Sequence, residues 1–306
     1  MITLHQLELD QSLVNCGMSY VFHLRDGGFF LIDGGYFTPG DEDSLYAFLR
    51  GLAKGVPHIA GWFFSHAHQD HIGNFISFLT RYHDRFTLGS LLYNFQPMDF
   101  SALAPEADWR GSDLATIRAF YEAVRQYAPA VPIRTLHTGD RLAFGDLALE
   151  ALYTHEDLDT TNAKFNDHST VIRATVSGQS ILFLGDVGEE GSRILLRNPD
   201  RLRGDIVQVS HHGFPGATRA LYEAIGAKIA LWPTPAYELE RLVADETIPV
   251  NRYLWSAAAI AEHIVSGHGD AALALPYTEG TATRQDTRFA HVTGYRTQFD
   301  AAQRLL

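Results

Sequence analysis

The chain has 306 residues, 46% hydrophobic and 20% charged, with a formal net charge of −12. That allows a large globular domain with a sizeable core and excludes a disordered chain. With no Lys/Arg stripe, extended nucleic-acid binding is excluded, and with one cysteine, Cys16, so is a disulfide framework.

No apolar run approaches the roughly 20 residues of a membrane span. The start, "MITLHQLELDQ", lacks a basic segment followed by a long apolar one, so no signal peptide is expected and the localisation reads as cytoplasmic. Cys16 reads as a small apolar residue. In chain order, "SYVFHLRD" and "GGFFLIDGG" form a hairpin turning at Asp26-Gly27 or Gly27-Gly28. "DSLYAFLRGLAKG" sets Leu45, Phe48, Leu49 and Leu52 on one helical face. "IAGWFF" and "TLGSLLYNF" read as strands, and "SDLATIRAFYEAVRQYA" as a helix capped by Ser112.

The strands "LALEALY", "STVIRATV" and "SILFLGD" follow, then "RGDIVQVSHHG" as strand and loop, the helix "ATRALYEAIGA" and the strand "KIALWPTP". "SAAAIAEHIVSG" reads as a helix from Ser256 to Gly267, before the strand "ALALPY". No repeat or linker marks a boundary, so residues 1–306 read as a single domain, with 236–250 as a flap or insertion. Helices are expected to cover two stacked sheets.

The polar clusters share a placement. Asp33 follows "FFLI", His66 follows "WFFS", Asp186 follows "ILFLG", and His211-His212 follow "IVQVS". Loops beyond strand ends commonly carry functional residues. The stretch "WFFSHAHQDHIGN" is too rich in imidazole and carboxylate for an apolar core, since such groups cost several kcal/mol when buried without a partner or a metal. His66 and His68, two apart, can point the same way from an extended backbone and grip one ion. Asp70 and His71, after a turn, can face a second position. These donors suit Zn²⁺, Fe or Mn. Asp186 is the candidate carboxylate to bridge two ions, and two metals about 3.5–4 Å apart can activate one hydroxide.

"HAHQDH" resembles the HxHxDH signature of the metallo-β-lactamase superfamily. "LIDGG" with Asp33, "FLGD" with Asp186 and "SHHG" with His212 occur in that family's order, and "RLAFGDLALEAL" resembles the strand pair before its third motif. The resemblance spans roughly residues 1–280. Within it, "NDHSTVIRATVSGQSILFLGD" followed by "VSHHG" is similar to a branch holding competence-protein domains and phosphorylcholine esterases. Those share an N-x-x-S motif, here Asn166 and Ser169, then GD, then HHG.

The resemblance implies a four-layer αβ/βα sandwich of the α/β (α+β) class and a metal-dependent hydrolase. It implies two ions, Zn²⁺ first with Mn²⁺ or Fe as alternatives, held by His66, His68, Asp70, His71, Asp186 and His212. Asp70 would also orient the nucleophile, His211 would face substrate or solvent, and His211 or a metal-bound water would assist the leaving group. Asp33 would accept a hydrogen bond from a ligating histidine or fix its loop. Many members supply a further histidine from a "GH" motif; here "YTHEDLDTTNAKFNDHS" offers Asn166, His155 or His168 for that place. His268 and Tyr277 lie where substrate contacts could arise, whereas His58, His83, His137 and His291 have no motif context.

The subgroup favours a small-molecule phosphodiester or other ester substrate, with lactones, thioesters and amides open because one site serves them all. A metal-binding protein with an impaired site is the alternative from another class. An oxygen-reacting di-iron protein is a third, and no flavin module is visible to serve it. No membrane partner is expected, and oligomeric state is not written in the sequence.

Overall fold

The computed structural model describes residues 1–8, 17–104, 107–161, 163–256 and 260–285. Cys16 and His291 lie outside the described residues. The first half supplies β1 (Ile2–Gln6), β2 (Tyr20–His23), β3 (Phe29–Ile32), β4 (His58–Phe63), β5 (Thr87–Leu88), β6 (Leu91–Leu92) and β7 (Ile133–Arg134). The second supplies β8 (Arg141–Phe144), β9 (Leu147–Tyr153), β10 (Val171–Val176), β11 (Gln179–Phe183), β12 (Ile206–Gln208), β13 (Ile229–Trp232) and β14 (Glu262–Val265). Then β15 (Asp270–Leu275) and β16 (Thr283–Gln285) return to the first sheet. That sheet runs β16-β15-β1-β2-β3-β4-β6-β7, with β5 also on β4; the other runs β14-β13-β12-β11-β10-β9-β8.

The helices are α1 (Asp41–Leu52), α2 (Gln69–Tyr82), α3 (Asp113–Tyr127), α4 (Glu189–Leu195), α5 (Arg219–Ile225), α6 (Ala236–Ala244) and α7 (Pro249–Leu254). Three apolar layers hold the strata together. Leu4, Phe22, Phe30 and Phe63 of one sheet meet Leu149, Ile172, Phe183 and Leu231 of the other. Leu45, Leu49, Phe75, Phe78 and Phe120 of α1–α3 pack on Leu31, Trp62 and Phe64. Ile194, Leu221, Ile225, Leu239 and Leu254 of α4–α7 pack on Leu182, Val207 and Trp232. The expected four layers, helix–sheet–sheet–helix, are present, as each sheet must cover both faces.

The hairpin β2–β3 turns at Gly27, whose φ of +91° suits glycine, with Gly28 N–H donating to the Asp26 carboxylate at 2.9 Å. Ser112 caps α3 by accepting from Ala115 N–H at 3.3 Å.

Two readings change. "TLGSLLYNF" is not one strand: Gly89 separates β5 from β6, and a side chain there would sit 2.5 Å from the Ala60 carbonyl of β4. The helix read over "SAAAIAEHIVSG" gives way in its second half: Glu262–Val265 is the edge strand β14, parallel to β13, and residues 257–259 lie outside the described residues. Sheet pairing overrides the weak helical preference of a short apolar run. Residues 236–250 contribute α6 and the start of α7, where Asn251 donates to the carbonyls of Gly213 and Leu242. Among the described residues no helix is long and apolar enough to cross a membrane.

Candidate metal centre

β3 and β4 are parallel neighbours, as are β11 and β12, so their carboxyl ends lie side by side in each sheet. Asp33 leaves β3, and Ser65, His66 and His68 leave β4 into α2, whose first turn holds Asp70 and His71. Asp186 leaves β11, and His211 and His212 leave β12. The two halves meet where Thr170 N–H donates to the Ser65 carbonyl at 2.8 Å.

Two groups of donors form there, and they share Asp186. One joins Asp70, His71, Asp186 and His212; the other joins His66, His68 and Asp186. His71 Nε2 lies 3.3 Å from Asp186 Oδ1 and 3.3 Å from His212 Nε2. His212 Nε2 lies 3.2 Å from Asp70 Oδ2 and 3.5 Å from Asp186 Oδ2. In the other group His66 Nε2 lies 3.0 Å from His68 Nδ1 and 3.8 Å from Asp186 Oδ2. His66, His71, Asp186 and His212 are buried, while Asp70 and His68 reach solvent in part.

The outer nitrogens explain which atoms face inward. His71 Nδ1 lies 2.8 Å from Asp33 Oδ2, and His212 Nδ1 lies 2.9 Å from the Pro233 carbonyl. Both acceptors require an N–H there, which leaves a lone pair on each Nε2. Asp33 also accepts from Ser65 N–H at 2.7 Å and Ser65 Oγ–H at 2.8 Å. Two lone pairs facing each other across 3.3 Å repel unless a cation or a proton stands between them. Both oxygens of buried Asp186 lack a hydrogen-bond partner. This donor set fits divalent metal ions.

The charges point the same way. Burial disfavours protonated His71, yet Asp186, Asp33 and Asp70 outweigh it and raise its pKa to about 10. Burial likewise disfavours protonated His212, yet Asp186 and Asp70 outweigh it and leave its pKa well above the ordinary value. Asp70 is held low despite burial by His71 and His212. His66 goes down, chiefly by burial. The pocket therefore demands positive charge.

Local backbone makes this geometry. Asp33, His211 and His212 all adopt positive φ, at 52°, 52° and 54°. Such conformations cost about 1–3 kcal/mol each and persist where surroundings enforce them. The two consecutive left-handed histidines send their rings apart, with centroids 6.4 Å from each other. The loop is held by Thr234 Oγ1 donating to the His212 carbonyl at 2.7 Å and by Ser210 Oγ donating to the Val187 carbonyl at 2.7 Å. Ser169 Oγ accepts from Asp186 N–H at 3.0 Å, which gives the N-x-x-S serine a definite task.

Gly185 sits beneath this loop with φ of +56°, and a side chain there would lie 3.0 Å from Ser169 and Ser65. Gly185→Ala is expected to destabilise the fold by about 2 kcal/mol and displace Asp186. A urea titration read with metal content checks this: unchanged stability with full metal content would refute it.

The remaining expected residues sit nearby or apart. His211 Nδ1 lies 2.8 Å from the Pro215 carbonyl, and its Nε2 lies 3.0 Å from Asn166 Nδ2. The Asn166 Oδ1 atom is buried without a hydrogen-bond partner. His155 Nε2 pairs with Asn94 Oδ1 at 3.1 Å, and the His155 and His168 rings are 6.0 Å apart, edge to face. Neither joins the two donor groups. Tyr277 binds Glu262 at 2.9 Å, and its carbonyl accepts from Gln179 at the start of β11, the end away from Asp186. His268 ends a short turn, Ser266–His268, just past β14. Phe165 was unmarked in the sequence; it stacks on His68 with centroids 4.4 Å apart.

Comparison with known proteins agrees with this architecture. The family model described as "Metallo-beta-lactamase superfamily" matches residues 15–228. ComE operon protein 3 of Bacillus subtilis (strain 168) is 27% identical over 177 residues, which are 58% of this chain and 20% of that protein. The chain thus spans about a fifth of that relative's length. The metallo-beta-lactamase fold protein YhfI from Bacillus subtilis is similar in structure, with a TM-score of 0.50 and 11% identity over 87% of this chain and 96% of that one. A mutant of the CmlA beta-hydroxylase gives 0.53 and 14%, over 90% of this chain and 54% of that one. At such identities the likeness shows the fold. With the family model covering most of the chain, the protein belongs to the metallo-beta-lactamase superfamily.

Proposed function

We propose that the protein is a hydrolase with two metal ions that cleaves phosphodiesters. The observation that carries this reading is Asp186, whose two oxygens serve both donor groups. His66 and His68 would hold one ion, Asp70, His71 and His212 the other, and Asp186 would bridge them. Zn²⁺ suits the donors best, with Mn²⁺ or Fe as alternatives. When bound, such metals lower the pKa of a water to about 7 and polarise the substrate's electrophilic centre.

The chain's own residues do the rest. Asp70, partly open to solvent, orients the nucleophile. Asp33 fixes the tautomer and direction of His71. His211 is fixed at Nδ1 by the Pro215 carbonyl, which leaves Nε2 as the atom that exchanges a proton with the leaving group. In this structure Nε2 accepts from Asn166 Nδ2 at 3.0 Å, so proton exchange there requires that contact to open, and the unpartnered Asn166 Oδ1 supports Asn166 as the third donor to the first ion. The phosphodiester preference rests on the N-x-x-S, GD and HHG motifs; lactones and thioesters would use the same groups.

A second reading, a metal-binding protein with an impaired site, is favoured by one observation: neither His155 nor His168 reaches the first group. Hydrolysis of bis(p-nitrophenyl) phosphate by Zn²⁺- or Mn²⁺-loaded protein decides between them. Turnover should fall about a thousandfold or more in Asp70→Ala. No turnover with metal confirmed bound sinks the phosphodiester reading; retention of metal with no turnover on lactones or thioesters either would establish the second one.

A further inference from the structure

Three of the four clustered histidines have a visible anchor on the nitrogen that faces away from the site. His66 Nδ1 lies 3.1 Å from Ser65 Oγ, His71 Nδ1 has Asp33, and His212 Nδ1 has the Pro233 carbonyl. His68 is turned the other way round. Its Nδ1 faces His66 Nε2, so Nε2 is its outward atom. That atom lies 3.9 Å from Oδ2 of Asp113, the first residue of α3. The same carboxylate accepts from Gln69 N–H through Oδ1 at 3.3 Å, while Gln69 Nε2 donates to the Arg110 carbonyl at 3.5 Å. Phe165 covers one face of the ring at an interplanar angle of 14°.

We propose that Asp113 is the positioning residue of the first metal position: its carboxylate, 3.9 Å behind Nε2 of His68, favours the proton on that atom by charge and so keeps the lone pair of Nδ1 turned inward. The inference rests on the two-metal reading for its consequence but not for its geometry. A carboxylate behind a ligating imidazole sets its tautomer and raises its basicity, and losing such a partner commonly lowers metal affinity about 10–100-fold. Asp113 comes from a helix outside every motif, so α3 and the loop before it are tied to the metal centre. Asp113 is half exposed, which leaves the first position responsive to what lies against α3.

The test is a zinc titration of the full chain against a chromophoric chelator. Wild type should take two equivalents. In Asp113→Ala one equivalent should weaken at least tenfold while the other stays within twofold, and Asp113→Asn should fall between. Ser112→Ala controls for a structural effect, since it removes the cap of α3 and leaves His68 untouched; it should bind both ions as wild type does. Two undisturbed equivalents in Asp113→Ala, or equal weakening of both, would overturn the proposal.

A second readout needs no metal. In the chelated protein, ring-nitrogen shifts of ¹⁵N-labelled His68 should report the Nε2–H tautomer in wild type and a mixture with Nδ1–H in Asp113→Ala. The same tautomer in both would overturn the proposal even if wild type binds zinc. Fewer than two equivalents in wild type would instead overturn the two-metal reading alone, with the tautomer experiment still deciding for Asp113.

Discussion

Asp186→Ala is expected to empty both metal positions at once. Zinc content after dialysis should fall from two equivalents to below one, and hydrolysis should drop about 10³-fold or more, the loss of several kcal/mol of stabilisation that metals supply. No other side chain belongs to both donor groups among the described residues. Asp186 oxygens face His66, His71 and His212, and neither has a hydrogen bond to fall back on. Asp186→Asn makes the sharper variant: it keeps shape and removes charge, so folding is spared while the bridge is lost. Asp33→Asn should cost less, about 10–100-fold in affinity, because Asp33 joins neither donor group and acts through the orientation of His71 and the Ser65 loop. Elemental analysis with far-UV circular dichroism on each variant checks the order. Two zinc ions retained in Asp186→Asn would refute the shared-carboxylate arrangement.

The layered fold was legible because its signals are local and redundant. "GGFFLIDGG", "IAGWFF" and "SILFLGD" are short apolar runs that end at polar residues, and strands β3, β4 and β11 lie there. Such runs must be buried on both faces, which requires helices outside two stacked sheets. The grouping of the candidate donors was legible for a related reason: His66, His68, Asp70 and His71 crowd one strand end, and the fold sets them beside Asp186.

What was not legible depends on contacts distant in sequence. Nothing in "SDLATIR" marks Asp113 as a neighbour of His68, because α3 reaches the site only through folding. The break at Gly89 depends on the Ala60 carbonyl of a neighbouring strand. The strand β14 depends on an open edge beside β13. The third-motif segment offered Asn166, His155 and His168 with equal plausibility by spacing. The fold separates them, setting His155 and His168 edge to face with each other and Asn166 against His211.

Removing the metals should make stability depend on pH in a way opposite to the loaded protein on the alkaline side. In the metal-free chain His71 has its pKa raised to about 10, because Asp186, Asp33 and Asp70 outweigh the cost of burial, and His212 is raised by Asp186 and Asp70. A folded pKa above the unfolded value of about 6.5 stabilises the fold. That stabilisation is fully present below pH 6.5 and is lost as pH rises through the folded value. His66 and His68 are shifted the other way, chiefly by burial. Their contribution is present above pH 6.5 and declines in acid. Asp70 and Asp186 are held low, so their effect is lost only below the ordinary carboxylate range. The metal-free protein should therefore be most stable near pH 6.5 and weaken toward pH 9.

On the two-metal reading, metal ligation would replace the protons on His71 and His212, so the loaded protein should escape that alkaline loss and bind zinc more tightly as pH rises. A ligand present at a thousand times its dissociation constant stabilises by about 4 kcal/mol per site. At about 2–4 °C per kcal/mol for a domain approaching this size, two sites, together about 8 kcal/mol, should separate the melting curves by about 16–32 °C at pH 9. The gap should shrink to a few degrees near pH 6, where protons do part of the metals' work. Melting temperatures of chelated and zinc-loaded protein from pH 6 to 9 check this. A gap that stays constant, or narrows with rising pH, would mean that the carboxylates around Asp186 do not trade protons for metal.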